Sequence, residues 1–170
     1  MHLTLSGEKS TFGKDEILIV GHLCGPYGRR PSPVKFNAIQ AMIEICKSQS
    51  KVFRFLSACA FYHIWIPHYA HIADPLYHLL RKGKKFKWRP EHTKAMKKLK
   101  KTLRTTEALK KPNYDQPIIV TVDTSPTGIG RVINQVDSDG SRYPIQFGAK
   151  VFNERQRGYA QVKRKLWPFL

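Results

Sequence analysis

Residues 117–123 have the sequence Pro-Ile-Ile-Val-Thr-Val-Asp, an apolar β-branched run that ends on a carboxylate. A Gly128-Ile129-Gly130 step then leads into a second apolar run. Since β-branched residues favour strands, we predict strands near 117–123, 129–136 and 143–148. The Asp137-Ser138-Asp139-Gly140 stretch predicts the hairpin turn between the last two. The end of the chain is therefore expected to contain a three-stranded antiparallel sheet.

Asp123 closes the first of these strands, which we expect to be buried. A buried carboxylate is costly unless a partner stabilises its charge. One such partner is Mg²⁺, held between several converging carboxylates in a two-metal site. The other interpretation is an ordinary aspartate at a strand end, and the spacing alone does not separate the two. After Asp123 the sequence contains three further carboxylates, Asp137, Asp139 and Glu154.

The beginning of the chain predicts a β-hairpin over residues 3–24. Leu3 and Leu5 alternate with polar residues on its first strand, and Gly7 to Gly13 form a polar turn. Ile17 to Gly21 form the second strand. A further turn is predicted at Gly25-Pro26-Tyr27-Gly28.

Four helices are predicted between residue 32 and the boundary near residue 110. The first begins at Ser32-Pro33 and the second near Ser50; the third runs from about His68 to Arg81, and the fourth begins at Pro90-Glu91. The first continues through a helical repeat of Phe36, Ile39, Met42, Ile43 and Cys46. Pro75 is expected to kink or divide the third. The fourth has an apolar stripe of Ala95, Met96, Leu99 and Leu103.

Composition changes at Lys110-Lys111-Pro112, from helical patterns to β-branched runs. We therefore predict one domain over residues 1–110 and a second over 111–170. A final helix is expected from Glu154 to Leu166, capped by Asn153 and ended by Pro168. The predicted fold class is α+β: an N-terminal β-hairpin, a helical region, and a three-stranded antiparallel sheet with one helix.

Charge is the strongest compositional signal. The 170 residues have a net charge of +18 and a pI near 10.1, and 41% of them are hydrophobic, which is enough for a core. Repulsion among so many positive charges does not stabilise the fold. The charge therefore favours a polyanionic partner. The alternative is a basic piece of a larger, more balanced protein.

The basic side chains concentrate in residues 81–104. Lysines alternate with Phe86 and Trp88, which suits phosphate contact with base stacking. A solvated charge run is the alternative, and we expect Trp88 to be a packing residue. The nucleic-acid-binding candidates are Lys82, Lys84, Lys85, Lys87, Arg89, Lys97 and Lys101; Lys94, Lys98, Lys100 and Arg104 extend the run.

The three cysteines, Cys24, Cys46 and Cys59, form an odd set without C-x-x-C spacing. That pattern predicts free thiols in a reducing compartment, hence an intracellular protein of the cytoplasm or nucleus. Neither a signal peptide nor a membrane-spanning run is found. Cys59 and His63 lie one helical turn apart, but they lack the spacing typical of a zinc site.

Several short motifs, taken in order, resemble one family, the Pol polyprotein of gypsy-type LTR retrotransposons. The motifs are Ile19-Val20-Gly21-His22, Arg30-Pro31-Ser32-Pro33, Phe55-Leu56-Ser57, Trp65-Ile66-Pro67, Ile72-Ala73-Asp74-Pro75-Leu76, Lys85-Phe86-Lys87-Trp88, Val122-Asp123-Thr124-Ser125 with Gly128-Ile129-Gly130, and Tyr159 followed by Lys163-Arg164-Lys165-Leu166. The resemblance covers nearly the whole chain. It implies the primer grip, with Gly21 and His22 as primer contacts, the thumb and connection, and the opening of the RNase H domain.

The resemblance implies an RNA-directed DNA polymerase joined to a ribonuclease H, with Mg²⁺ as the family's cofactor. The family's Y-x-D-D carboxylates would lie before Met1. Asp123 takes the first ribonuclease position, Lys165 stands where the family has a glutamate, and the other two carboxylates would lie beyond Leu170. We therefore expect no catalysis by these residues and no cofactor for the chain as it stands.

Three functional interpretations remain open. The chain is a catalytically dead remnant, a basic module that binds an RNA–DNA hybrid or DNA, or a piece of an active Pol polyprotein that needs the other segments. No membrane partner is expected, and the oligomeric state is left undetermined.

Overall fold

The structure, a computed structural model, describes residues 6–166. Its fold class is α+β, as predicted: two separate three-stranded antiparallel sheets are joined in sequence by helices. The strands are β1 (Ile17–Ile19), β2 (His22–Gly25), β3 (Gly28–Pro31), β4 (Ile119–Thr124), β5 (Gly128–Val136) and β6 (Arg142–Val151). The helices are α1 (Pro33–Ala41), α2 (Gln49–Phe61), α3 (Tyr69–Leu79), α4 (Pro90–Thr105), α5 (Glu154–Arg157) and α6 (Gln161–Leu166).

The first sheet corrects the predicted N-terminal hairpin. Strand β1 pairs forward with β2, with Ile17 opposite Cys24, and not backward across Gly7 to Gly13. The turn falls on Val20 and Gly21, whose φ angles of 47° and 81° are both positive, as in a type I′ hairpin turn. Valine is rare in such turns, so the sequence pattern did not predict a turn at this position. Leu3 and Leu5 lie outside the described residues.

Strand β3 adds a third strand to that sheet through the turn predicted at residues 25–28. It also joins the first sheet to the segment before the second. Arg29 N donates to Leu109 O at 2.9 Å, and Leu109 N donates back to Arg29 O at 3.0 Å. The two ends of the helical region are therefore fixed to each other by main-chain bonds.

The four predicted helices are all present. Pro33 and Pro90 lie in the first turns of α1 and α4, where a missing N–H costs nothing. Helix α3 passes through Pro75 as a single element, so the proline does not divide it. Helix α1 ends at Ala41, earlier than the apolar repeat predicted, and Met42, Ile43 and Cys46 lie beyond it.

The core lies among α2, α3, α4 and the 3₁₀ turn His63–Trp65. Its fully buried side chains include Phe55, Leu56, Tyr62, Trp65, Leu76, Met96 and Leu99. The apolar stripe predicted for α4 faces this core. Phe147 and Ala149 of β6 pack against it too, so one face of the second sheet is covered by the helices.

Two ion pairs and one close approach hold the second sheet and α5 against α3 and the residues just after it. Arg157 pairs with Asp74, and Arg81 pairs with Glu154 at 3.3 Å. Gly128 is buried beside Ala70, and a Cβ on it would lie 2.8 Å from the Ala70 Cβ. The regions on either side of residue 110 are thus in direct contact.

The single helix predicted from Glu154 to Leu166 is wrong in its continuity. Asn153 caps α5 as expected, since its side chain accepts from Gln156 N at 2.9 Å. The helix then ends after one turn at Gly158, a residue that readily terminates helices, and α6 begins at Gln161. Pro168 lies outside the described residues. Within residues 6–166, no helix has the length and apolarity needed to cross a bilayer.

Candidate nucleic-acid interface

Helix α4 carries a face of exposed basic side chains opposite its buried stripe. They are Lys94, Lys97, Lys98, Lys101 and Arg104, and their spacing of three and four residues puts them on one side. The face extends for roughly 15 Å along the axis, since a helix rises about 1.5 Å per residue. Lys97 also pairs with Glu44 at 3.4 Å, and the Lys97 side chain stays 63% exposed. We call this set the α4 basic face.

Lys100 does not belong to the α4 basic face, which corrects its place in the predicted run. It is 7% exposed, and its ammonium donates to Gln40 O at 2.9 Å and to Met42 O. Gln40 Nε2 in turn donates to Lys100 O at 3.0 Å. These carbonyls belong to the end of α1, where a cation is favourable. Lys100 therefore fixes α1 to α4.

Adjacent lysines allow this division of roles to be tested. Lys100→Met should lower the free energy of unfolding by about 1–3 kcal/mol, because buried carbonyls lose a charged donor. Lys101→Met should leave stability within about 0.5 kcal/mol but weaken duplex binding, since its side chain is exposed. Urea unfolding and fluorescence anisotropy on both variants measure the two effects; equal stability losses would contradict the assignment.

A basic segment precedes α4 directly and shares its charge. Lys82, Lys84, Lys85, Lys87 and Arg89 are all exposed. We call them the basic segment. The alternating aromatic residues point to the core instead: Phe86 and Trp88 pack against it.

Trp88 is held by a specific bond, as expected of a packing residue. Its Nε1 donates to Thr93 Oγ1 at 2.9 Å, and its ring lies 5.3 Å from that of His92. His92 is buried; its Nδ1 accepts from Arg89 N at 2.8 Å. Burial, with a smaller contribution from the charge of Arg89, lowers the pKa of His92. The aromatic residues thus anchor the basic segment and leave phosphate contact to the lysines.

Gly21 and His22 lie at the turn between β1 and β2. The ring of His22 stacks on Phe61 at 5.0 Å, 11° from parallel, and is 5.1 Å from Trp65. Burial, followed by the charges of Arg29 and Lys35, lowers the pKa of His22. Gly21 O accepts from Tyr62 OH at 3.0 Å. Both residues have structural roles here, and a primer contact remains a prediction.

Lys35 is a basic residue near this turn that the sequence analysis missed. Its ammonium lies 4.9 Å from the Phe61 ring centroid, and the side chain is exposed. A cation over an aromatic ring is held in place while its charge stays available. No sequence signal marks it, because Lys35 and Phe61 meet only in the folded chain.

Asp123 does not end a buried strand. Strand β4 is the edge of its sheet, and the Asp123 side chain is exposed. One carboxylate oxygen accepts from Thr124 N at 2.8 Å. Asp123 also lines a cavity of about 440 Å³ together with His68 and His71. An exposed edge aspartate needs no partner ion, so burial no longer argues for a metal.

Lys165 lies exposed on α6, which contacts β4. Its neighbour Arg164 donates weakly to Ser125 O at 3.5 Å, so the element beside Asp123 is cationic. The other carboxylates after Asp123 have other partners: Asp137 pairs with Lys110 at 2.6 Å, Asp139 accepts from Ser141 N, and Glu154 pairs with Arg81.

A divalent ion needs several converging oxygen ligands. Over residues 6–166, no three histidine, cysteine, aspartate or glutamate side chains gather in a group that could hold a metal. The described residues around Asp123 therefore do not fit Mg²⁺. Cys59 is fully buried in the core and is not grouped with the nearby histidines either.

The comparisons with known proteins agree with the fold. Residues 88–170 match the family described as the RNase H-like domain found in reverse transcriptase. The retrovirus-related Pol polyprotein from transposon 297 of Drosophila melanogaster is 29% identical over 97% of this chain, and transposon Tf2-3 polyprotein of Schizosaccharomyces pombe is 22% identical over 97%. Residues 88–170 are thus similar in sequence to the RNase H-like domain found in reverse transcriptase. The chain is homologous to a segment of retrotransposon Pol polyproteins, which confirms the resemblance.

Solved structures show the same fold at low sequence identity. The foamy viral protease-reverse transcriptase in complex with RNA/DNA hybrid superposes with a TM-score of 0.74 at 21% identity, over 95% of this chain and 22% of that one. The same viral protein in complex with dsDNA superposes with the same TM-score, and the present chain covers 34% of that one. The chain spans 15% and 12% of the length of the two curated relatives.

Proposed function

We propose that this chain is a nucleic-acid-binding segment of a retrotransposon Pol polyprotein, which holds an RNA–DNA hybrid or duplex DNA and does not itself catalyse. The observation that carries the proposal is the α4 basic face together with the basic segment before it. Ten exposed cations stand there in 23 residues, from Lys82 to Arg104. Such a density suits a phosphate backbone, which binds through the release of counterions.

Charge balance supports the same partner. The basic segment contains no carboxylate. On α4, Lys97 pairs with Glu44, while Glu91 lies 3.5 Å from the buried His92, whose pKa is lowered by burial. The foamy viral reverse transcriptase with this fold was solved with RNA/DNA hybrid and with dsDNA. We extend that ligand class to this chain as part of the proposal.

We infer that the chain does not catalyse because it supplies too few carboxylate ligands for two metal ions. Two-metal phosphoryl transfer requires carboxylates that hold both ions, and the Asp123 region supplies one. Lys165, on the helix that contacts β4, is cationic at the position where the resemblance implies a glutamate ligand. We also propose that the protein is located in a reducing compartment, as its cysteine pattern predicts.

An Asp123→Asn variant tests this directly. The 170-residue chain should bind an RNA–DNA hybrid and leave its RNA strand intact with 5 mM Mg²⁺ or Mn²⁺, and the substitution should change neither result. Gel electrophoresis of end-labelled hybrid detects cleavage, and anisotropy detects binding. Divalent-dependent cleavage by the wild type that Asp123→Asn removes would overturn the proposal. A Thr121→Val variant on the same strand is the matched control.

A second candidate function is a working part of a longer enzyme. The chain covers so little of its curated relatives that other segments of a Pol polyprotein are a natural complement. Sequencing the coding DNA on both sides tests this candidate. A Y-x-D-D motif upstream and further ribonuclease carboxylates downstream, in one reading frame, would support it; stop codons on both sides would reject it.

A further inference from the structure

A groove lies where the first sheet meets the segment that follows Leu109. It has a volume of about 650 Å³. Its lining includes Lys14, Arg29, Lys111, Tyr114, Ile145 and Gln146. None of these residues belongs to the basic segment or to the α4 basic face. We call this feature the Tyr114 groove.

Tyr114 is unusually exposed for an aromatic residue, at 84%. It sits in a turn in which Gln116 N donates to Asn113 O at 3.2 Å and Asp115 N donates to the Asn113 side chain. With so little of its ring covered, Tyr114 contributes little to the core. The ring of Tyr114 is therefore accessible to a ligand.

The turn that presents Tyr114 is held rigidly by Gln135, which is fully buried on β5. Its Nε2 donates to Asn113 O at 2.6 Å and to Gln116 O at 3.0 Å. Its Oε1 accepts from Asn113 N at 2.9 Å. An aromatic ring on a turn fixed at both ends loses little further entropy when it binds a ligand.

The charges around the ring are positive. In the described part of the chain, no carboxylate forms an ion pair with Lys14, Arg29 or Lys111. Arg29 makes only two long bonds through one nitrogen, at 3.4 Å, and its buried Nε has no partner among the described residues. Asp15 is the one carboxylate in the lining. Lys110 also lines the groove, but its charge is paired with that of Asp137.

We propose that the Tyr114 groove binds a single strand of RNA or DNA, with one base stacked on Tyr114 and the flanking phosphates contacted by Lys14, Arg29 and Lys111. A rigid exposed aromatic beside unpaired cations is the combination that single-strand recognition uses. This rests on the proposed function, since the ligand is again nucleic acid.

The geometry favours a single strand over a duplex. In a duplex the base faces are covered by their neighbours in the stack, and a side chain on the surface reaches only phosphates and groove edges. A ring such as Tyr114 gains stacking energy only from an unstacked base. The α4 basic face, which has no exposed aromatic ring among its members, has no such requirement and accepts any phosphate backbone.

The test compares two 12-nucleotide strands of equal charge at fixed salt, oligo(dT) and the same strand with abasic sites. Wild type should bind oligo(dT) more tightly by about 5-fold or more, the range expected for one stacked base. Tyr114→Ala should abolish this preference, and Tyr114→Phe should keep it. Duplex affinity should be unchanged in both variants.

Tyr27→Ala is the matched control, because Tyr27 is 87% exposed in a nearby turn and does not line the groove. It should keep the preference for bases. Lys111→Gln should make the salt slope for oligo(dT) shallower by about one unit. The near-complete exposure of Tyr114 keeps its variants folded, which thermal melting verifies.

The possible results separate this inference from the proposed function. If the wild type binds neither strands nor duplex, the proposed function fails. If it binds both strands equally, or if Tyr114→Ala keeps the preference for oligo(dT), the Tyr114 groove is not a base-stacking site, while duplex binding by the α4 basic face stands.

Discussion

Replacing the whole basic segment, Lys82, Lys84, Lys85, Lys87 and Arg89, with glutamine should produce the largest functional change. If these five side chains neutralise about five phosphates, log affinity falls against log salt with a slope near −4.5. The wild type should therefore lose roughly 500-fold in duplex affinity between 50 and 200 mM salt through these contacts. In the variant, the part of the salt dependence that comes from these five side chains should be absent. Anisotropy titrations of a labelled duplex at four salt concentrations give both slopes.

A control of equal charge separates local contact from net charge. Lys47, Lys51, Arg54, Arg142 and Arg155 are exposed and lie outside the basic segment and the α4 basic face. Replacing these five with glutamine changes the net charge equally and should alter the slope much less. Equal slope changes in the two variants would show that total charge, and not the basic segment, governs binding.

Gly28→Ala should have the largest effect on stability. Gly28 has a φ of 120°, and a Cβ there would lie 2.0 Å from Leu109 O, a main-chain atom that cannot move aside alone. Left-handed backbone costs an alanine about 1–2 kcal/mol, and forced overpacking adds about 1–3 kcal/mol. We expect a loss of about 2–5 kcal/mol, or roughly 5–15 °C in Tm for a chain of this size.

Gly83→Ala is the control for that substitution. Gly83 has a φ of 76°, and nothing lies within 4 Å of the Cβ position. Only the backbone cost of about 1–2 kcal/mol applies there. Calorimetry of both variants gives the difference, which measures the contact between β3 and Leu109. If Gly28→Ala melts no lower than Gly83→Ala, that contact does not hold the two sheets together.

Much of the fold was predictable because its signals are local. Helices α1 and α4 begin at prolines, α4 carries its apolar stripe, and the hairpin between β5 and β6 turns on Asp137 to Gly140. Each of these depends on residues within a few positions of one another. The β1–β2 turn was missed because Val20 and Gly21 both adopt positive φ angles, and a valine does not normally indicate such a conformation.

The candidate interface was only partly predictable, since exposure is not a local property. The basic run was found from its composition, and composition does not distinguish Lys100 from Lys101. The first is buried against the end of α1 and the second is exposed. Phe86 and Trp88 alternate with lysines yet pack inward. The Tyr114 groove joins residues 14, 29 and 111, which no spacing rule connects.

The sequence alone determined the charge, the four helices from α1 to α4, the three strands of the second sheet and the shortage of carboxylates near Asp123, because these depend on residue identity and on neighbours along the chain. Only the tertiary structure decided which cations face solvent, that β4 is an exposed edge, and that α3 covers the second sheet. Those outcomes depend on which surfaces meet when distant segments pack, and burial of apolar area selects those contacts without regard to separation along the chain.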